Sequence, residues 1–289
     1  SVARIRSMSG REPGVSALME AHFIIDFAGE KSYIFSMQDA LTPQQLADFR
    51  RDGFLVVRGL YGPAEMRGLS DRIDRFAALP PSFGRQMAYY EKSLLEPGKK
   101  ILSRIEKFSE YDDGLRAFLY GAKMMDRVNA LLGEPGVLFK EKVNFKLPGG
   151  GGFEPHQDIQ PGWDAYAPYF LSVLVTVDES TIENGCLELA AGQHTRGMLG
   201  EKWKPLTGRS LEGLEFRPYP MSPGDVAFFD CFVPHQSKPN LTDRPRRNLY
   251  LTYNRQSDGD HRERYFADKR KSFPPDFERE PGREYVFRV

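Results

Sequence analysis

Cysteine is scarce in this chain: Cys186 and Cys231 are the only two in 289 residues. Two thiols cannot frame a chain of this length, so a disulfide-stapled secreted scaffold is excluded and a reducing compartment is expected. Net charge is lacking too, because 40 basic residues balance 40 acidic ones. Without a bulk excess of either sign, neither nucleic acid nor an anionic membrane surface is an expected partner. No apolar run approaches a membrane span; the longest, such as residues 170–177, have the length of a strand. Residues 1–14 are polar, carry Arg4, Arg6 and Arg11 and contain no apolar stretch, so no secretory signal is expected and the cytoplasm is the expected location. Repeats and low-complexity tracts are also absent. What is there is a chain long enough to bury a full core, within the length that β-rich barrels reach as one unit.

Residues 1–40 read as an N-terminal arm and residues 41–289 as a single domain. In the arm, the apolar residues 22–27 and the aromatic-bearing residues 31–35 suit short strands. Such an arm permits either cover over a site or self-association as a homodimer. Thr42-Pro43-Gln44-Gln45 starts a helix with an N-cap, a first-turn Pro and a capping-box Gln, and Gly53 ends it. Residues 54–57 then read as a strand. A second helix follows Pro63, with Met66, Leu69, Ile73 and Phe76 at helical spacing. Residues 82–110, with Lys99, Lys100, Arg104 and Lys107, fit no clear period and read as a substrate-facing loop. A third helix is expected over 114–132, capped by Gly133. From residue 137 onward the texture is strands and turns, with Pro223-Gly224-Asp225 feeding one of them. Helices first and strands after give an α+β protein built round a jelly-roll-like double sheet.

The sharpest chemical feature is His156-Gln157-Asp158 followed much later by His235. On a strand, positions i and i+2 share a face, so His156 and Asp158 can aim at one point, and a distant His completes three ligands. Two imidazoles and a carboxylate are the ligand set of non-haem Fe(II) oxygenases, which keeps coordination positions open. Zinc takes the same three residues with a water, so ligand type alone does not choose the metal. Arg246, downstream of His235, offers a guanidinium that pairs bidentately with a carboxylate. His194, in the turn at Gly192-Gln193-His194, reads as a residue that bonds local backbone.

The ordered strings Phe153-Glu154-Pro155-His156-Gln157-Asp158, Glu183-Asn184-Gly185-Cys186-Leu187-Glu188-Leu189, Gly192-Gln193-His194, Pro223-Gly224-Asp225, His235-Gln236-Ser237 and Arg246 resemble the phytanoyl-CoA dioxygenase family over about residues 41–256. The resemblance implies a double-stranded β-helix (jelly-roll, cupin-like) core with the N-terminal helices packed on it. It also implies Fe(II), with 2-oxoglutarate and dioxygen as cosubstrates. It assigns His156, Asp158 and His235 to iron, and Arg246 and Ser237 to the far carboxylate of 2-oxoglutarate. By the same resemblance, Asn144 and Lys140 are expected as further cosubstrate contacts. Ala190-Ala191-Gly192-Gln193 departs from the family's usual Pro-Gly-Ser pattern in a loop that reads as structural. Because Asp158 is present, where halogenating relatives have lost the carboxylate, hydroxylation with release of succinate is the implied outcome.

The segment after Asp158 carries Trp163, Tyr166 and Tyr169, and Trp203 follows later. These rings are candidates to hold an ammonium group by cation–π attraction. Arg255, after the last strand, is a candidate for an anionic group, with Lys269-Arg270-Lys271 read as a solvated face. Pro155-His156-Gln157-Asp158 with Gly162-Trp163, and Glu201-Lys202-Trp203-Lys204-Pro205, are similar to bacterial dioxygenases that hydroxylate 2-aminoethylphosphonate and its N-methylated relatives. The expected partner is therefore a small molecule, an aminophosphonate first. The same chemistry on a compatible solute, amino acid, acyl-CoA or secondary metabolite is the alternative. A non-catalytic β-helix binding domain is a second alternative, and the complete ligand set argues against it.

Overall fold

The computed structural model describes residues 23–25, 31–33 and 40–285. The chain divides into two units, residues 1–36 and 37–289. In the first, β1 (Phe23–Ile25) and β2 (Lys31–Tyr33) pair antiparallel. Whether the arm covers a site or self-associates lies outside the described residues.

In the second unit, α1 (Pro43–Asp52) begins as its sequence requires. Thr42 Oγ1 accepts from the Gln45 amide at 3.2 Å, and the Gln45 side chain accepts from the Thr42 amide at 2.8 Å. Then follow β3 (Phe54–Val57), α2 (Pro63–Ala77), β4 (Met87–Lys92) and β5 (Lys100–Glu106). The expected substrate loop over 82–110 thus contains an antiparallel strand pair. Lys99, Arg104 and Lys107 are each tied up in ion pairs with Glu96, Glu106 and Glu263. Where one helix was expected over 114–132 there are two, α3 (Asp113–Leu119) and α4 (Ala122–Leu132). The chain leaves the helix at Tyr120, and Gly121 starts the second with an extended backbone.

The remaining elements are β6 (Gly136–Lys146), β7 (Phe153–His156), β8 (Leu171–Thr176), β9 (Leu187–Ala190), β10 (Phe216–Tyr219), β11 (Val226–Asp230), β12 (His235–Ser237), β13 (Arg246–Arg255) and α5 (Arg262–Ser272). They form a seven-stranded sheet, β3-β11-β8-β13-β6-β5-β4, and a four-stranded sheet, β10-β9-β12-β7. This is the expected double sheet. Among the described residues no helix is long and apolar enough to cross a membrane.

Strand alternation splits the large sheet into two chemically different faces. Val143, Phe145, Val173, Val175, Phe228, Leu249 and Leu251 point outward and pack with Ile73, Phe76, Leu115 and Val128 of the helical layer in one buried cluster. The intervening positions turn inward. At one end they are apolar, with Leu174, Ala227 and Phe229 meeting Leu187 and Leu189. At the other end they are polar: Lys140, Lys142 and Asn144 of β6, Tyr250 and Thr252 of β13 and Ser172 of β8 line one cavity between the sheets.

Candidate metal centre

His156 ends β7 and His235 begins β12, and the two are direct partners in the antiparallel ladder. Their ring centroids stand 4.2 Å apart. Asp158 is not on the strand, as the i, i+2 argument required; β7 stops at His156 and Asp158 lies in the turn that follows. That turn is shaped by two buried glutamines. Gln157 donates from its amide nitrogen to Gln160 Oε1 at 2.8 Å, and its side chain donates to the carbonyls of Gly197 and Phe232. The Gln160 side chain donates to the carbonyls of Glu201 and Lys204. Neither glutamine was singled out in the sequence, where nothing distinguishes them from solvent-facing polar residues.

The three side chains converge, with ligand atoms of His156, Asp158 and His235 all within 4.8 Å of one another. Asp158 Oδ1 is 3.8 Å from His235 Nε2. Each ligand is fixed from behind. His156 Nδ1 donates to the Glu154 carbonyl at 2.7 Å, and His235 Nδ1 to the Val233 carbonyl at 3.0 Å. A carbonyl can only accept, so the proton sits on Nδ1 and the Nε2 lone pair is free for a metal. Asp158 Oδ2 accepts from the Ser172 hydroxyl, leaving Oδ1 facing the histidines. Burial, then His235, lowers His156 to about 3, which favours the neutral ligand form. Burial alone would raise Asp158, but His235, His156, Lys142 and Lys140 together hold it below its ordinary value.

Further polar groups at or just behind the polar end of the cavity keep hydrogen-bonding capacity that the protein does not use. Arg246, 2 % exposed, is not itself among the lining residues but bonds one of them, Tyr250; its Nε has no hydrogen-bond partner and it pairs with no carboxylate among the described residues. Asn144 Oδ1 is buried and unpartnered as well. Ser237 lines the cavity and accepts from Lys146 Nζ at 2.7 Å. A buried guanidinium without a counter-ion is costly, so this end of the cavity suits an anion. Two neutral imidazoles, one carboxylate and an anion-seeking arginine together fit Fe(II) with a chelating keto acid.

The expected substrate residues are divided. Trp163 lines the cavity, with Lys140 Nζ 4.2 Å from its ring centroid. Tyr166, Tyr169, Trp203 and Arg255 are not among the lining residues. Tyr166 donates its hydroxyl to Asp268 of α5. Arg255 stacks over Tyr169 at 5.0 Å and donates to the Leu132 carbonyl, at the far end of β13 from Arg246. Trp203 is 45 % exposed and lies against Gly162. Lys142, which sequence reasoning passed over, lines the cavity beside Lys140. Its i+2 spacing from Lys140 on a strand was the available signal. Lys269, expected in a solvated run, is instead ion-paired to buried Glu106 at 2.5 Å. His194 makes no side-chain hydrogen bond; its ring packs on Gly53 with a buried, unpartnered Nδ1.

Residues 49–248 match the family model described as phytanoyl-CoA dioxygenase. The chain is 38 % identical over 246 residues to a 2-aminoethylphosphonate dioxygenase from uncultured bacterium HF130_AEPn_1, covering 84 % of this chain and 93 % of that one. It is 37 % identical over 238 residues to a methylphosphonate hydroxylase of Gimesia maris, covering 82 % and 90 %. Among solved structures, the epimerase SnoN in complex with Fe3+, alpha ketoglutarate and nogalamycin RO superposes with a TM-score of 0.64 at 20 % identity, over 84 % of this chain and 93 % of that one. EctD from S. alaskensis with 2-oxoglutarate and 5-hydroxyectoine gives 0.62 at 22 %, over 76 % and 78 %. These two share the fold.

Proposed function

The chain belongs to the phytanoyl-CoA dioxygenase family and is a 2-oxoglutarate-dependent dioxygenase, and on that premise we propose that it hydroxylates a small phosphonate, 2-aminoethylphosphonate or an N-methylated relative first. The observation that carries the substrate class is the charge of the cavity. Lys140 and Lys142 face it, with Arg104 and Lys269 close behind, against one carboxylate outside the metal site, Glu106. Burial pushes both cavity lysines below their ordinary values, Lys140 further through Lys142 and Lys269. A doubly charged phosphonate relieves that repulsion, as a neutral solute does not.

Two anions have separate places along β6. Lys140 and Lys146 stand about 20 Å apart at roughly 3.3 Å per residue, longer than a five-carbon keto acid. Arg246 is paired with Lys146 in the ladder. Arg246, Ser237 and Asn144 therefore serve 2-oxoglutarate, and Lys140, a cosubstrate contact by resemblance, goes with Lys142 to the substrate. Trp163, whose face already carries Lys140 Nζ, offers an apolar wall to the substrate's carbon chain.

His156, Asp158 and His235 would hold the iron, which when bound supplies the oxidising chemistry that couples conversion of 2-oxoglutarate to succinate with insertion of an oxygen atom of dioxygen into a C–H bond. The chain's own residues do the rest. The Glu154 and Val233 carbonyls and the Ser172 hydroxyl keep the three ligands oriented before any metal arrives. Phe153, Leu187 and Trp163 wall the cavity with apolar surface and limit water beside the reacting carbon.

A phosphonate without an amine is a second reading. Asp158, a metal ligand, is the single carboxylate lining the cavity among the described residues, so an ammonium finds no carboxylate there outside the metal site. Succinate release measured across 2-aminoethylphosphonate, its N-methylated derivatives and methylphosphonate decides between them. Stimulation by the amines supports the first reading, and by methylphosphonate alone the second. Lys142→Met is expected to raise KM for the phosphonate roughly tenfold while leaving that for 2-oxoglutarate within about twofold. No stimulation by any phosphonate contradicts the substrate class.

A further inference from the structure

Lys146 ends β6 and is 3 % exposed. Its ammonium donates to Ser237 Oγ at 2.7 Å, to the Lys238 carbonyl at 2.5 Å and to the Gly185 carbonyl at 3.4 Å. These three bonds use all its protons. They tie the large sheet to β12 of the small sheet and to the turn ahead of β9. It pairs with no carboxylate among the described residues, and the charge acting on it most strongly is another cation, Arg246, opposed by the weaker pull of Glu91 and Glu188. The crossing is tight: Gly185 has φ 75°, and a Cβ there would stand 2.0 Å from the Lys238 carbonyl oxygen.

The consequence falls on Ser237. A hydroxyl has one proton and two lone pairs, and an ammonium has protons only. When Lys146 is charged, Ser237 Oγ therefore accepts from it, and the serine's own proton is left for another acceptor. Its hydroxyl borders the cavity. Burial, then Arg246, lowers Lys146 to about 6, and an anion arriving beside the pair restores the charged, donating form.

Resting on the reading of Ser237 and Arg246 as the carboxylate-binding end, we propose that Lys146 is a positioning residue for 2-oxoglutarate. By occupying a lone pair of Ser237 it makes that hydroxyl a donor toward the far carboxylate of the cosubstrate. A lysine that only cross-linked the sheets would act on stability and not through Ser237.

A double-mutant cycle separates these roles. Calorimetry reads 2-oxoglutarate binding to protein loaded with a redox-inert divalent ion, for wild type, Lys146→Met, Ser237→Ala and the double variant. Lys146→Met is expected to weaken binding roughly tenfold on the wild-type background and less than about twofold on Ser237→Ala. Binding unchanged in Lys146→Met, or an equal loss on both backgrounds, overturns the proposal. If Lys146→Met does not fold, Lys146→Gln, whose amide keeps a weaker donor, enters the same cycle with the same criterion. A wild type that binds no 2-oxoglutarate would instead refute the functional reading beneath it.

Discussion

Each metal ligand is held by one hydrogen bond on the side away from the metal: the two histidines by backbone carbonyls, and Asp158 by a side chain outside the triad. Ser172 is that side chain, since its hydroxyl is the partner of Asp158 Oδ2. Ser172→Ala is expected to weaken metal binding about tenfold or more, read by competition with a chelator; unchanged affinity would show that Asp158 needs no such support. Glu106 acts on stability. It is 1 % exposed and bound by Arg104 at 2.8 Å and Lys269 at 2.5 Å. Burial alone would raise its pKa, but Lys269, Arg104 and Lys140 bring it from 4.5 down to about 2. Its contribution to stability is therefore complete above about pH 4.5 and fades as pH falls toward 2. Glu106→Ala leaves both cations buried and uncompensated, and is expected to cost roughly 3–5 kcal/mol near neutral pH in urea denaturation. A smaller acid-dependent loss of stability than in wild type should accompany it. The triad and Arg246 were legible because their residue types carry the chemistry. Ser172 and Lys146 were not, because their roles depend on which strand faces them across the sheets.

At the scale of elements, the turns that punctuate the strands do the positioning. Gly162, with φ 79°, begins the short 3-10 turn Trp163–Ala165, and a Cβ there would stand 2.4 Å from the Trp203 ring. Gly162→Ala is expected to destabilise the chain by more than about 1 kcal/mol, since backbone strain and a ring clash add. It should also shift the tryptophan fluorescence, as Trp203 is one of only two tryptophans. Unaltered emission and stability would contradict that packing. Helix α1 was readable to the residue because Thr42, Gln45 and Gly53 are local signals. The pair β4 and β5 was not, because it is held to the sheet only through β5, whose other partner is distant in sequence: Arg104 of β5 pairs with Asn144 of β6. The break between α3 and α4 was missed because the apolar spacing runs through Gly121 and masks it.

For the whole molecule, the two sheets enclose a cavity lined by Lys140 and Lys142, with buried Lys146 and Arg246 behind it, and under the proposed function it takes two anions and a metal. The helices-then-strands order made the architecture legible, and the spacing of the motifs made the site legible. The proposed division of the cavity between cosubstrate and substrate required the register of β6 against β13. Ligands that bind only the folded chain must stabilise it. Saturating divalent metal at a hundred times its dissociation constant is expected to add about 2.7 kcal/mol, seen as a higher melting temperature that chelator reverses. The central claim is that His156, Asp158 and His235 hold iron beside a 2-oxoglutarate site that ends on Arg246. Anaerobic addition of Fe(II) and then 2-oxoglutarate, watched for the weak visible charge-transfer band of the chelate, tests it directly in wild type, His156→Ala and Arg246→Ala. The account predicts a band that vanishes without His156 and needs more 2-oxoglutarate without Arg246. Folded wild-type protein that gives no band, or a band that survives His156→Ala unchanged, would contradict it.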